Sequence, residues 1–221
     1  MTELIECVPN FSEGRNRSVV QAIVAEISSV RSIRLLDQEM NADHNRSVIT
    51  FVGTPDDVLE ASLRGVRKAT ELIDMRQHRG EHPRMGATDV LPFVPVGSSA
   101  TIERCVDLAR RAGERIGNEL GVPVYLYESA ATRPERQNLA DVRRGEFEGL
   151  ARDIGTKPER SPDFGPAMIH ATAGAVAVGA RMPLLAFNVN LGTKDVDVAK
   201  RIAKAIRFQT GGLRYVKALG F

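Results

Sequence analysis

Val48-Ile49-Thr50-Phe51-Val52-Gly53-Thr54-Pro55-Asp56-Asp57 joins an apolar, β-branched run to a helix start in ten residues. Val48 to Val52 reads as a strand. Thr54 is placed to cap, Pro55 fits the first helical position, and the two acids suit the positive end of the helix dipole. Leu59, Leu63, Val66 and Ile73 then recur on one side of a long helix. Upstream, Leu4-Ile5-Glu6-Cys7-Val8, stopped by Pro9-Asn10, reads as a first strand. Val19, Val20, Ile23, Val24, Ile27 and Val30 form a helix face, and Ile33 to Leu36 reads as a second strand. A polar loop from Glu39 to Asn45 leads into the Val48 strand. Downstream, Val90-Leu91-Pro92-Phe93-Val94-Pro95-Val96 supplies a fourth. The order β-α-β-β-α-β is the split βαβ arrangement of ferredoxin-like sheets, so the expected fold class is α+β, a ferredoxin-like sandwich with a mixed sheet.

The chain continues with a helix carrying Ile102, Val106, Ala109, Ile116 and Leu120, halted by Gly121 and Pro123, then a strand from Val122 to Tyr127. Residues 129–145 read as a polar, Arg-rich loop with a short helix, and residues 153–174 as irregular. Apolar segments at 175–178 and 184–189, a helix with Val198, Ile202 and Ile206, and a strand from Leu213 to Val216 follow. These last elements match the front half of a second split βαβ. The expected division is residues 1–180 and 181–221.

Bulk properties narrow the function classes. The chain has 221 residues, 43% of them hydrophobic, and a formal charge of +2. Interleaved charges and the absence of Trp argue against a nucleic-acid groove or a base-stacking platform. Cys7 and Cys105 form neither a C-x-x-C nor a zinc pattern, so both read as reduced thiols. No basic leader or bilayer-length apolar run is present, and the expected location is the cytoplasm.

The chemistry concentrates in Gly80-Glu81-His82-Pro83-Arg84-Met85-Gly86-Ala87-Thr88-Asp89, a Gly/Pro-constrained loop running into a buried strand. His82 is its centre, flanked by Glu81 and Arg84, whose opposite charges can orient the ring and set its pKa. A solvated surface histidine is the plainer reading. His78 to His82 also spells H-x-x-E-H, an inverted zinc-peptidase pattern. Gly80 and Pro83 break the helix that such a site needs, so no metal is expected.

Gly165-Pro166-Ala167-Met168-Ile169-His170-Ala171-Thr172-Ala173-Gly174 is small and poor in charge. It can line a flat ring system through backbone groups, or serve as an ordinary crossover. Its spacing matches neither a dinucleotide fingerprint nor a Walker A loop. Asp37, Glu39, Asp43, His44, Asn45 and Arg46 crowd one turn, and Asn10, Phe11 and Glu13 follow the first strand. Either group can border the cleft holding His82.

Taken together, Glu6 to Gly14, Asn45 to Val48, Gly80 to Asp89, Val122 to Tyr127, Pro162 to Pro166 and Ala186 to Leu191 resemble the glutamate formimidoyltransferase family. The resemblance runs along almost the whole chain. It implies two ferredoxin-like subdomains with folate between them, transfer of a formimidoyl group between N-formimidoyl-L-glutamate and tetrahydrofolate in histidine breakdown and one-carbon metabolism, and a homodimer. Tetrahydrofolate would be a co-substrate. On this resemblance His82 is catalytic and residues 165–174 bind folate. An acid falls at Glu39, where animal relatives carry Asp, and Ala173 stands where they carry Trp. Arg84 or Arg46 is expected to pair with a substrate carboxylate, with Glu81 or Glu39 orienting the imidazole and Asn10 at the cleft border. The second subdomain is expected to be incomplete. That leaves two alternatives open: a folate-binding or assembly module without turnover, and formyl transfer from 5-formyltetrahydrofolate to glutamate.

Overall fold

In the computed structural model, residues 3–185 and 189–220 are described, and the chain divides into units of residues 1–183 and 184–221. The first unit holds strands β1 (Leu4–Cys7) and β2 (Asn10–Phe11), helix α1 (Arg17–Ser28), strands β3 (Arg34–Asn41) and β4 (Arg46–Gly53), helix α2 (Pro55–Leu72) and strand β5 (Thr88–Val96). Helix α3 (Ile102–Arg115), strand β6 (Val124–Glu128), helices α4 (Leu139–Val142) and α5 (Glu146–Asp153), and strand β7 (Val176–Ala180) follow.

β1 and β2 behave as two halves of one strand interrupted at Val8-Pro9. Each pairs antiparallel with β4 on one side and with β5 on the other. β3 pairs antiparallel with β4, so these strands reproduce the split βαβ sheet expected from the sequence. The sheet then grows past β5 in parallel, with β7 on β5 and β6 on β7. The result is a mixed seven-stranded sheet.

Period-two alternation sorts the side chains. In β4, Ser47, Ile49, Phe51 and Gly53 are buried, while Arg46, Val48, Thr50 and Val52 are half-buried on the opposite face. Val20, Ile23, Val24 and Ile27 of α1 and Val58, Leu59, Leu63 and Val66 of α2 cover the buried face. α3 extends that layer with Leu108, Ala109 and Ala112 over Leu91, Val178 and Leu126. The neighbouring positions Val90, Ala177 and Tyr125 face the other way, into a second cluster with Val142 of α4 and Leu150 of α5. Among the described residues of this unit, only the β5–β7–β6 half therefore has helical cover of this kind on both faces.

Several expectations change in detail. Asn16 and Thr101 cap α1 and α3 through their side chains. The Thr54 hydroxyl instead donates to the Asp57 carboxylate and caps no backbone N–H. The loop expected from Glu39 begins later, because β3 runs on to Asn41. Its polar residues still alternate, with Glu39 opposite Val48 and Met40 opposite Ser47. The strand β2 and the helix α5 had no expectation.

In the second unit, α6 (Val196–Ile206) forms where a helix was expected, with Asp195 capping it through its side chain. Leu213 to Val216 is not a strand. Gly212 N and Leu213 N donate to Arg207 O and Ile206 O at 3.0 and 2.9 Å, folding the chain back on the helix end through Gly211 at φ +88°. The strand expected at 184–189 falls partly on residues 186–188, outside the described residues; Leu184, Leu185 and Val189 have no strand pairing.

The start of β5 is fastened to the start of β7. Ala87 N donates to Ala173 O at 2.8 Å, and Ala175 N donates to Met85 O at 3.0 Å. A Cβ at Gly86 would lie 2.0 Å from Ala175 O, and Gly174 adopts φ +72°. Gly86→Ala is expected to destabilise the fold by about 2–3 kcal/mol. Gly149→Ala, in α5 with its nearest neighbour at 3.7 Å, should stabilise by about 0.5–1 kcal/mol. Urea unfolding of both variants checks the pair.

Candidate functional site

Arg46 opens β4 on the half-buried face of the sheet. Its Nη1 donates to Asn10 Oδ1 at 2.9 Å and also lies 3.2 Å from His82 Nε2. Asn10 Nδ2 donates to Val8 O at 3.1 Å, which fixes the amide with its oxygen toward Arg46. A guanidinium has no acceptor, so His82 Nε2 must accept. That makes the imidazole neutral, with its proton on Nδ1. The His44 ring lies alongside, with centroids 5.9 Å apart.

The surroundings hold His82 neutral. Burial, then the charges of Arg46 and Arg143 and the neighbouring His44, push its pKa down to about 3. The sequence expectation was different, with the pKa set by flanking Glu81 and Arg84. Glu81 is exposed. Arg84 is buried and turned away, donating to Glu146 at 2.6 Å and to both oxygens of Glu148 at 2.9 and 2.7 Å. It is thereby committed to α5.

A framework of hydrogen bonds fixes the loop that carries His82. Arg84 Nε donates to His78 Nδ1 at 3.3 Å, so His78 Nε2 carries the proton and donates to Asn45 O at 2.9 Å. Both nitrogens of His78 are therefore engaged with protein groups, and residues 78–82 are not helical. The H-x-x-E-H spacing thus does not set two free imidazoles on one helical face. Asn45, at φ +48°, receives Gly14 N at 2.9 Å and donates to Arg79 O at 3.1 Å. Glu81 N reaches Asp43 O at 3.3 Å. A Cβ at Gly80 would meet His44 O at 2.3 Å. The His82 loop and the β3–β4 turn are one body.

Asp89 and Arg143 complete the group. Asp89 is buried at the start of β5, accepting from Met85 N at 2.9 Å and from Arg143 Nη2 at the end of α4. Burial raises its carboxyl above the usual range against the pull of Arg143. Arg143 had no place in the sequence reading. It sits in an Arg-rich stretch with no local signature, and its contact with Asp89 spans 54 residues of sequence.

His82, Arg46 and Asn10 therefore converge. Glu39 is exposed on β3, and its charge acts on Arg46. Phe11 is buried in the core, and Glu13 Oε1 accepts from Arg15 N and Asn16 N at 2.8 Å each, bracing the start of α1. The segment 165–174 spans two ends of the unit. Gly165, at φ +81°, packs beside Val122 O and Gly117, and residues 165–168 are exposed. At the other end His170 and Gly174 exchange backbone hydrogen bonds, Thr172 O accepts from Met75 N at 2.8 Å, and Ala173 and Gly174 lie against Gly86. The segment thus starts exposed and ends buried against the loop that carries His82.

The family model for the formiminotransferase domain, N-terminal subdomain, matches residues 4–181. The chain belongs to this family. It is 52% identical to a glutamate formimidoyltransferase of Streptococcus pyogenes serotype M1 over 220 residues, covering all of this chain and 73% of that relative. It is 51% identical to a glutamate formimidoyltransferase of Thermoplasma acidophilum, covering 99% of this chain and 72% of the relative. A formimidoyltransferase-cyclodeaminase of Gallus gallus is 48% identical, with all of this chain matched to 41% of the relative.

Two measurements check this arrangement around His82. Because the folded chain holds His82 well below its unfolded value of about 6.5, the unfolded state binds more protons between roughly pH 3 and 6.5, and stability falls as pH falls through that window. His82→Gln should flatten this slope, by no more than about 1.4 kcal/mol per pH unit. Asp89→Asn removes the carboxylate of a buried pair and leaves Arg143 without its counter-charge. It should cost about 3 kcal/mol in denaturant unfolding at neutral pH.

Proposed function

We propose that His82 carries the proton in transfer of a formimidoyl group between N-formimidoyl-L-glutamate and tetrahydrofolate. Formimidoyl transfer is the activity named for the relatives above and supported by family membership, and it fits a role in histidine breakdown and one-carbon metabolism. One observation carries the assignment of His82. Its imidazole is neutral and half-buried, Nε2 accepts from Arg46, and the loop that carries it leads to Gly86, which bridges to Gly174 at the end of the 165–174 segment.

The reaction needs one mobile proton. An amine nitrogen adds to the amidine-type carbon, forming a C–N bond and a tetrahedral intermediate. That intermediate collapses as the C–N bond to the other nitrogen breaks. The attacking nitrogen gives up a proton and the departing nitrogen takes one, so a single imidazole serves both steps in sequence. General acid–base help of this kind is worth about 10²–10⁴-fold.

The strip from Gly165 to Gly174 suits the flat ring of the folate co-substrate. Its exposed small residues let a ring approach the main chain, and Gly165 at φ +81° turns the backbone where a Cβ would collide with Val122 O. Glu39 acts on the site through the charge of Arg46. Residues 181–221 form the start of a second subdomain in this reading, with support from the break between residues 183 and 184 and from the family match ending at residue 181. A cytoplasmic homodimer fits the same reading; no helix among the described residues is long and apolar enough to cross a membrane.

His82→Ala is expected to lower tetrahydrofolate-dependent release of glutamate from N-formimidoyl-L-glutamate by at least about 100-fold, with tetrahydrofolate binding retained by fluorescence. Unchanged turnover removes His82 from the chemistry. Binding of folate by the unaltered chain without any release identifies a binding module, and glutamate-dependent loss of 5-formyltetrahydrofolate identifies formyl transfer.

A further inference from the structure

We infer that Arg46 and Arg143 together receive the α-carboxylate of the glutamate substrate, and that this docking draws Arg46 off His82 Nε2 and so frees the imidazole to take a proton. The inference rests on the transfer reading above and adds to it both a second arginine and a trigger.

The charges buried around His82 do not balance, because Glu39, the second acid acting on Arg46, is exposed. Arg143 has the Asp89 carboxylate, while the guanidinium of Arg46 hydrogen-bonds two neutral acceptors, Asn10 Oδ1 and His82 Nε2. Arg46 is half-buried, and burial and the charge of Arg143 both disfavour its cationic form, against attraction from Asp89 and Glu39. Each of the two arginines also has a buried Nε without a hydrogen-bond partner among the described residues. A half-buried guanidinium under the charge of a second one, whose own carboxylate partner is already engaged, is costly without a further anion. A carboxylate offers two oxygens in the fork geometry that guanidinium groups match.

The distances explain why this anion would sit beside the proton carrier. In an α-amino acid derivative, the reacting nitrogen and the carboxylate are attached to the same carbon. Arg46 Nη1 and His82 Nε2 are 3.2 Å apart. A carboxylate on Arg46 therefore sets the reacting nitrogen beside Nε2. The γ-carboxylate, two carbons further along the side chain, lacks that geometry.

The same contact regulates the base. As long as Arg46 donates to Nε2, the lone pair that must take a proton is occupied. Arg46 on β4, Arg143 at the end of α4 and His44 in the β3–β4 turn all disfavour the imidazolium; Asp89 on β5 and Glu39 on β3 act on it through the two arginines. A bound carboxylate offsets the two arginines and removes the hydrogen bond, leaving burial and His44. The histidine then gains basicity only when the correct acid is bound.

The test is a titration of ring nitrogens by NMR in ¹⁵N-histidine-labelled protein, without folate or turnover. Sodium L-glutamate is expected to raise the His82 midpoint by at least one pH unit, about tenfold in proton affinity. The probe 4-aminobutyrate, which lacks the α-carboxylate, should leave it unmoved. Arg46→Gln should raise the midpoint without any ligand and abolish the glutamate response. Arg143→Gln should weaken glutamate binding and halve the response or more, while Arg46→Lys, which keeps the charge, should retain part of it and show that the site still folds. The inference is overturned by no glutamate binding, by binding that leaves His82 unmoved, or by an equal response to 4-aminobutyrate. An unchanged glutamate response in Arg46→Gln does so as well, as does a response lost equally in Glu39→Gln, which would make Glu39 the controlling group. A full response in a chain that transfers no formimidoyl group keeps the inference and removes the transfer reading.

Discussion

Where Met85, Gly86 and Ala87 pass residues 173–175, two stretches of main chain approach too closely for any side chain at position 86. The two hydrogen bonds across this contact are ordinary in strength. Its importance is positional. It sets the β5–β7 register, so that Val90 meets Ala177 and Leu91 meets Val178. That register directs one set of side chains to α3 and the other to α4 and α5. It also brings the end of the small-residue strip to within a few residues of His82. Architecture and site share this single steric requirement.

Around His82 the fold favours neutrality over charge. A buried salt bridge would have been the simpler partner for Arg46. The structure supplies an amide oxygen and an imidazole nitrogen in its place, and sends Arg84 to the carboxylates of α5. The geometry survives because it is held from outside the pair. Asn45 ties Gly14, Arg79 and His78 together, and His78 in turn is oriented by Arg84. An ion pair that lies off His82 thus helps to hold the loop that carries it, through two intermediaries.

Sequence patterning disclosed most of this sheet, because its strands and helices carry period-two and helical apolar repeats. β4 and α2 were plain from ten residues. Reading failed where the deciding partner was distant or polar. β3 continues to Asn41 because β4 pairs with it, although Asp37 and Glu39 are poor strand formers. Leu213 to Val216 has strand-like composition, yet the carbonyls at the end of α6 capture its backbone. His82, Arg46 and Asn10 were expected to border one cleft, but the hydrogen bonds that join Arg46 to the other two were not foreseen. Arg143 was invisible, since nothing in an Arg-rich loop marks which arginine will meet an aspartate 54 positions away. Arg84 shows the converse, since its place beside His82 in sequence does not bring its guanidinium to the imidazole.

The pairing of β1 sets a timetable for biosynthesis. This strand lies between β4 and β5, so a segment made before both of them is completed only once β5 has been synthesised. Chains emerge at about 5–20 residues per second, and Ile5 and Cys7 must wait several seconds for the residues around Phe93 that flank them. During that interval α1 and α2 can already cover one surface of a partial sheet, while its central backbone edge stays open. Newly made chains are most exposed to wrong partners in that window, and an early encounter with a chaperone would act on β1.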